Sequence, residues 1–177
     1  MAQSESFATA VDNSEWNGFF ANDGTTSRVR EGQVAIVTAF GNLTVPTDAT
    51  IDGIEIEMQG YGTDSSFTNP FLAVSNDGGT SFSTFKNFTT APISTNSGAH
   101  TVEQVGGPTE LWGETWTGAT ANAIQFKIDF NQNTGAVYFD YVKARIYYTA
   151  NTTYPSDDNM HIQNGVIVLN NGKLDIQ

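Results

Sequence analysis

Apolar and polar residues alternate with a period of two through several stretches of this chain, and that period marks strands with one buried and one wet face. Residues 51–61 show it most clearly. Ile54, Ile56 and Met58 take one face there, and Glu55, Glu57 and Gln59 the other. Residues 123–130 repeat the pattern with Ile124, Phe126, Ile128 and Phe130 inward. Residues 137–149 form the longest run, with Val142, Ala144, Ile146 and Tyr148 inward and Lys143 and Arg145 outward. From Gln33 onward, Val34, Ile36 and Thr38 alternate with Ala35, Val37 and Ala39, and the pattern resumes over 43–45 after Gly41-Asn42. A shorter strand is predicted over 71–74, and short strands or strand-like loops over 101–105 and 111–116.

Turn signals separate these runs: Asn22-Asp23-Gly24, Asn76-Asp77-Gly78-Gly79 and Gly106-Gly107-Pro108. No stretch has apolar residues at helical spacing behind a capping signal, so no helix is predicted. Many short strands between turns predict an all-β, antiparallel β-sandwich of jelly-roll type over residues 1–150. Within it, 1–32 reads as an irregular N-terminal part, polar with isolated aromatics at Phe7, Trp16, Phe19 and Phe20.

Near Ala150 the composition changes. Residues 151–158, with Pro155, read as a linker, and 159–177 as a short, β-rich fibrous or hairpin tail. Two strand-forming pieces, 166–169 and 174–176, are punctuated by Asn164-Gly165 and Asn171-Gly172. So short a hairpin is marginal alone in water. Its apolar residues, Ile162, Val166, Val168, Leu174 and Ile176, need a partner. That partner is either the sandwich of the same chain or the tails of other copies, three of which would open a stalk.

Composition and charge narrow the function. The 177 residues carry 19 acidic and 7 basic side chains, a net charge of −12. Such a surface repels phosphate backbones and anionic bilayers, which argues against nucleic-acid and membrane partners. There is no cysteine, which removes disulfides and thiolate chemistry. The first residues lack the basic and apolar regions of a secretory signal, so export is not expected.

Catalytic chemistry finds little footing. The two histidines, His100 and His161, lie in no nucleophile motif. Glu55 and Glu57 are neighbours on one strand face, whereas glycoside hydrolysis needs carboxylates facing each other across a cleft. Glu103, Glu110 and Glu114 stand near Trp112 and Trp116. If exposed, Trp112, Trp116 and Trp16, with Glu114 beside them, would form a sugar-stacking platform; aromatics in a sandwich are more often core. Asp12, Asp23, Asp129 and Asp140 supply loop oxygens of the kind that hold Ca²⁺, although no EF-hand spacing is present. Turn-forming Asp explains them equally well. No cofactor is otherwise indicated.

Four segments resemble known proteins. Ser75-Asn76-Asp77-Gly78-Gly79-Thr80-Ser81-Phe82 is similar to the Asp-box, S-x-D-x-G-x-T-W, with Ser and Phe at the last two positions. The resemblance implies a β-hairpin turn in which the aspartate accepts backbone amides. The box occurs once, which argues against a propeller. The segment 49–57, ATIDGIEIE, resembles the ATI-x-GI-x-V-x-V strand of a β-sandwich module in tailed-phage and prophage virion proteins. Segments 105–117, VGGPTELWGETWT, and 140–149, DYVKARIYYT, resemble the same module in the same order. The resemblance implies a virion structural protein of capsid-decoration, head-fibre or tail-fibre type. Its partners would be other capsid or tail proteins and two further copies of itself in a homotrimer. It would be assembled in the host cytoplasm and released by lysis. The rival expectation is a module that recognises host glycans.

Overall fold

The computed structural model describes residues 1–12, 17–62, 71–87, 97–130 and 136–151, and the backbone of 161–163, 166–169 and 172–174. Eight strands form one antiparallel, strongly curled sheet: β1 (Ala2–Val11), β2 (Ser27–Arg30), β3 (Val34–Phe40), β4 (Thr50–Gly62), β5 (Phe71–Ser75), β6 (Thr101–Gly107), β7 (Gln125–Asp129) and β8 (Ala136–Thr149). Their order is β5-β7-β3-β1-β8-β4-β6, with β2 beside the first part of β8. The all-β antiparallel class expected from the alternation is the class observed.

The curl is made by β1. Ala2–Phe7 pairs with Lys143–Tyr148 of β8, while Ala8, Ala10 and Val11 pair with β3 through two register shifts. Bulges bend a strand and increase its twist. One strand thus joins two sets of strands that would otherwise be separate sheets. The N-terminal part is therefore not irregular, as its sequence suggests. Its period-two pattern is written in small residues: Ser4 and Ala8 are buried, Ser6 and Ala10 half-buried, and Glu5, Phe7 and Thr9 exposed.

The core lies inside the curl. Ile54, Ile56 and Met58 meet Val142, Ala144 and Ile146, and Ile124, Phe126, Ile128 and Phe130 complete it. These are the inward sets that the alternation predicts. Tyr148 packs half-buried at the margin. At about 25 cal/mol per Å² of apolar surface, this single cluster is the main stabilising term of the domain.

Two local expectations change and one is narrowed. Residues 43–45 do not extend β3. Their amides are taken by side chains, Thr44 N–H donating to Ser4 Oγ at 2.8 Å and Val45 N–H to Asn122 Oδ1 at 2.9 Å. Of the strand and the strand-like loop that residues 111–116 allow, the loop is the one formed. After it comes a one-turn helix, α1 (Gly118–Asn122), opened by a capping box in which Thr117 and Thr120 satisfy each other's amides. Five residues are too few to leave a helical period in the sequence.

Later in the chain, β9 (His161–Gln163), β10 (Val166–Leu169) and β11 (Gly172–Leu174) form a second, three-stranded antiparallel sheet with β10 in the middle. Among the described residues these strands pair only with one another. The sheet has one strand more than the two predicted pieces, and its last strand ends at Leu174.

Candidate functional site

The sequence points first to Trp112, Trp116 and Glu114. The loop that carries them leaves β6 through Gly106, at φ 94°, where a Cβ would meet the Ile54 carbonyl oxygen at 2.1 Å. Only glycine permits that approach. The loop then folds back on β4. Glu110 carbonyl accepts Ile54 N–H at 2.8 Å, and Trp112 Nε1–H donates to Ile54 carbonyl at 3.1 Å. Trp112 is 2% exposed and sits at φ 60°. A bulky side chain seldom adopts this left-handed conformation, and burial and the indole bond offset its cost here.

Trp112 is therefore a structural anchor with no face for a ligand. Glu110 reinforces it, its Oε1 accepting Trp112 N–H at 2.6 Å and its Oε2 meeting Lys86 Nζ at 2.9 Å. The Lys86 bond, with help from the Trp112 amide, outweighs burial and holds the Glu110 carboxyl below its ordinary value. Trp116 is 8% exposed, and its indole N–H is used by Leu111 carbonyl at 3.0 Å. Both of these tryptophans, which would form a sugar-stacking platform only if exposed, are therefore buried. Trp16 lies outside the described residues. Glu114 is half-buried and, with Trp116, lines an open cleft of about 450 Å³ between residues 47–51 and 111–117. Glu103 is buried on β6 opposite Met58 and does not line that cleft.

The second cluster is on the outer side of β1, β8, β4 and β6. The register places Glu5, Arg145 and Glu55 in one cross-strand row and Phe7, Lys143, Glu57 and Gln104 in the next. The alternation gives Glu55 and Glu57 a wet face, yet each is only 8% exposed. Long neighbouring side chains cover them. Glu57 accepts from Tyr141 Oη at 2.8 Å, Gln104 Nε2 at 2.8 Å and Lys143 Nζ at 3.0 Å. Arg145 bonds Glu5 at 2.9 Å and also Glu55, which Tyr147 reaches at 3.3 Å.

The electrostatics of this cluster are those of mutual satisfaction. Burial pushes the Glu57 carboxyl up, but hydrogen bonds from Gln104, Tyr141 and Lys143 overcome it and hold the group below its ordinary value. Burial and the neighbouring Glu57 raise Tyr141 far above the usual phenol range, so it stays protonated. A carboxylate, Glu57, held charged by fixed donors and a phenol held neutral make a cross-strand brace. Neither group is poised to exchange a proton near neutral pH.

The four aspartates considered for Ca²⁺ each have a partner within the fold. Asp12 accepts Ile36 N–H at 3.0 Å, Asp23 accepts Thr25 N–H at 2.8 Å, and Asp129 lies 3.8 Å from Lys127. Asp140 is buried, its Oδ1 accepting the amides of Asp23 and Gly24 and its Oδ2 lying 3.5 Å from His100 Nδ1. The His100 ring in turn stacks on Tyr61, and Tyr61 on Tyr138. Among the described residues, no three His, Asp or Glu side chains gather as a metal would require. The side chain of His161 lies outside the described residues.

The Asp-box-like segment folds as its pattern implies. Asp77 accepts Ser81 N–H on both oxygens at 3.0 Å, Ser81 Oγ at 2.6 Å and Ser75 Oγ at 2.7 Å. The Ser81 bonds hold its carboxyl at about 2.

In the tail, the register sets Ile167 opposite both Ile162 and Leu174. Val168 stands opposite His161 and Lys173. Val166 and Val168 therefore do not share a row with Ile162 and Leu174, as an undivided apolar set would have them. Ile167 takes that place, and Ile176 lies outside the described residues. A pairing register cannot be read from a run such as Val166-Ile167-Val168-Leu169, because every position in it is apolar.

No protein-family model matches the chain, and no curated protein matches it.

Proposed function

We propose that this chain is a structural surface protein of a phage particle. In this reading the eight-stranded domain is a capsid-decoration or head-fibre attachment module, and the tail begins a homotrimeric stalk. The protein works by assembly with other virion proteins and not by catalysis; a place on the tail fibre uses the same mechanism. It is assembled in the host cytoplasm and leaves with the particle at lysis.

The observation that carries this reading is the second sheet. Strands of three and four residues, paired only with one another among the described residues, are too small to bury a core of their own. Their apolar residues need a partner, and in this reading the partner is the tails of other copies. The resemblance of segments 49–57, 105–117 and 140–149 to phage virion modules supports the context. The burial of Trp112 and Trp116 weighs against the glycan-reading alternative, which needs an exposed aromatic face.

The test is direct labelling. Antibodies against the eight-stranded domain, applied to intact particles from a host that carries this gene, should decorate the particle surface in electron micrographs. Particles that form without the chain, or that carry it only inside, would overturn the reading.

A further inference from the structure

We propose that the cleft between residues 47–51 and 111–117 is a docking slot for a lysine or arginine side chain on a partner protein. The inference rests on the assembly reading above and adds where, and by what chemistry, the domain itself takes hold.

The cleft encloses about 450 Å³, within the range of about 300–1,000 Å³ common for binding clefts. Its apolar wall is Ile51, Leu111 and Trp116, and its polar lining includes Thr47, Thr50, Asp48 and Glu114. The decisive feature is the hydrogen-bond inventory of these groups. Carboxylates only accept, and threonine hydroxyls accept as readily as they donate. The one N–H among the side chains named, the Trp116 indole, is already given to Leu111 carbonyl. An acceptor-rich slot fits a donor-only group, and an ammonium or guanidinium has donors and no acceptor. The aliphatic stem of such a side chain matches the apolar wall.

Charge points the same way. Among the described residues, neither Asp48 nor Glu114 pairs with a cation. Lys86, Lys127, Lys143 and Arg145 are each engaged with carboxylates elsewhere. Arg28 lies over the Tyr138 ring. The domain therefore leaves an acidic slot open on a chain of net charge −12, where complementarity selects a basic partner. Asn151 donates its side-chain amide to the Asp48 carbonyl, so the chain leaves the domain beside the slot. A partner seated there would lie at the end from which the tail departs. A sugar is the poorer occupant, because Trp116 offers little ring surface and Trp112 none.

The experiment is an NMR titration of the isotope-labelled full chain with N-acetyl-lysine methylamide. The norleucine analogue, which has a similar aliphatic stem and no ammonium, and maltotriose serve as comparison probes. The lysine probe should shift the Trp116 indole and the amides of 47–51 saturably in the millimolar range. The norleucine analogue should bind at least about tenfold more weakly. The response should be lost in the double variant Asp48→Asn/Glu114→Gln, which removes no side-chain hydrogen bond or ion pair among the described residues, and should weaken from about 0.1 M to about 1 M salt. Equal response to norleucine, preference for maltotriose, or no shift with the lysine probe would each overturn the slot. A trimer with an unresponsive cleft would sink this inference alone. A monomer with a responsive cleft would sink the trimeric stalk and leave the slot standing.

Discussion

The indole nitrogen of Trp112 lies 3.1 Å from the carbonyl oxygen of Ile54, and that bond binds the loop after β6 to the centre of the domain. It turns a residue that reads as a binding-site candidate into part of the core.

Replacing Trp112 therefore tests the anchor. Trp112→Phe leaves the Ile54 carbonyl without its side-chain donor and should cost about 1–3 kcal/mol of stability. Trp112→Ala also opens a cavity and should cost about 3–5 kcal/mol. Denaturant unfolding followed by far-ultraviolet circular dichroism measures both. Equal stability of the phenylalanine variant and the wild type would show that the bond does not hold the loop.

The outer brace makes stability depend on pH. Glu57 is held below its ordinary value of 4.5 in the folded state, so its bonds stabilise the fold fully above that value. The contribution is lost as pH falls through the folded value. The domain should thus lose stability progressively below about pH 4.5, and Glu57→Gln should show a shallower loss over that range. At neutral pH the same substitution removes charged bonds to Lys143 and Tyr141 and should cost about 1–3 kcal/mol. Thermal melts across pH 2 to 7, as a rough range for carboxylate titration, decide between this and an inert surface charge.

A second pH effect is confined to one hairpin. Asp77 titrates at about 2 when folded, against an ordinary 3.8, so its support of the turn persists to low pH and fades between those values. Asp77→Ala should speed hydrogen exchange at Ser81, whose N–H Asp77 accepts, and at Ser83, which ties the turn to β5, and leave β8 protected. Ser83 N–H is bonded to Val74 carbonyl at 2.8 Å, which makes it a sensitive reporter.

The long strands were legible in the sequence because their inward residues are large. Ile54-Ile56-Met58 and Val142-Ala144-Ile146 alternate with polar neighbours and occupy the core as expected. The first strand was not legible, because Ser4, Ser6, Ala8 and Ala10 carry its inward positions and small residues give no hydrophobic contrast. Burial of Glu55 and Glu57 was equally hidden. Alternation assigns them to the outer side, but only the cross-strand register brings Lys143, Arg145, Gln104 and Tyr141 over them. For the candidate site, composition picked out Trp112 and Trp116 but not their depth, which depends on Gly106 letting the loop fold back onto Ile54. The cleft beside Glu114 needs residues 47–51, about sixty positions away in the chain, and no local pattern joins the two.

In the proposed assembly, copies of this chain meet through the tail. Light scattering on the purified full chain, and on a version ending at Asn151, tests it most directly. The account predicts three times the 19.1 kDa chain mass for the full chain and a folded monomer for the shortened one. A monomeric full chain, or a shortened chain that remains trimeric, would contradict it.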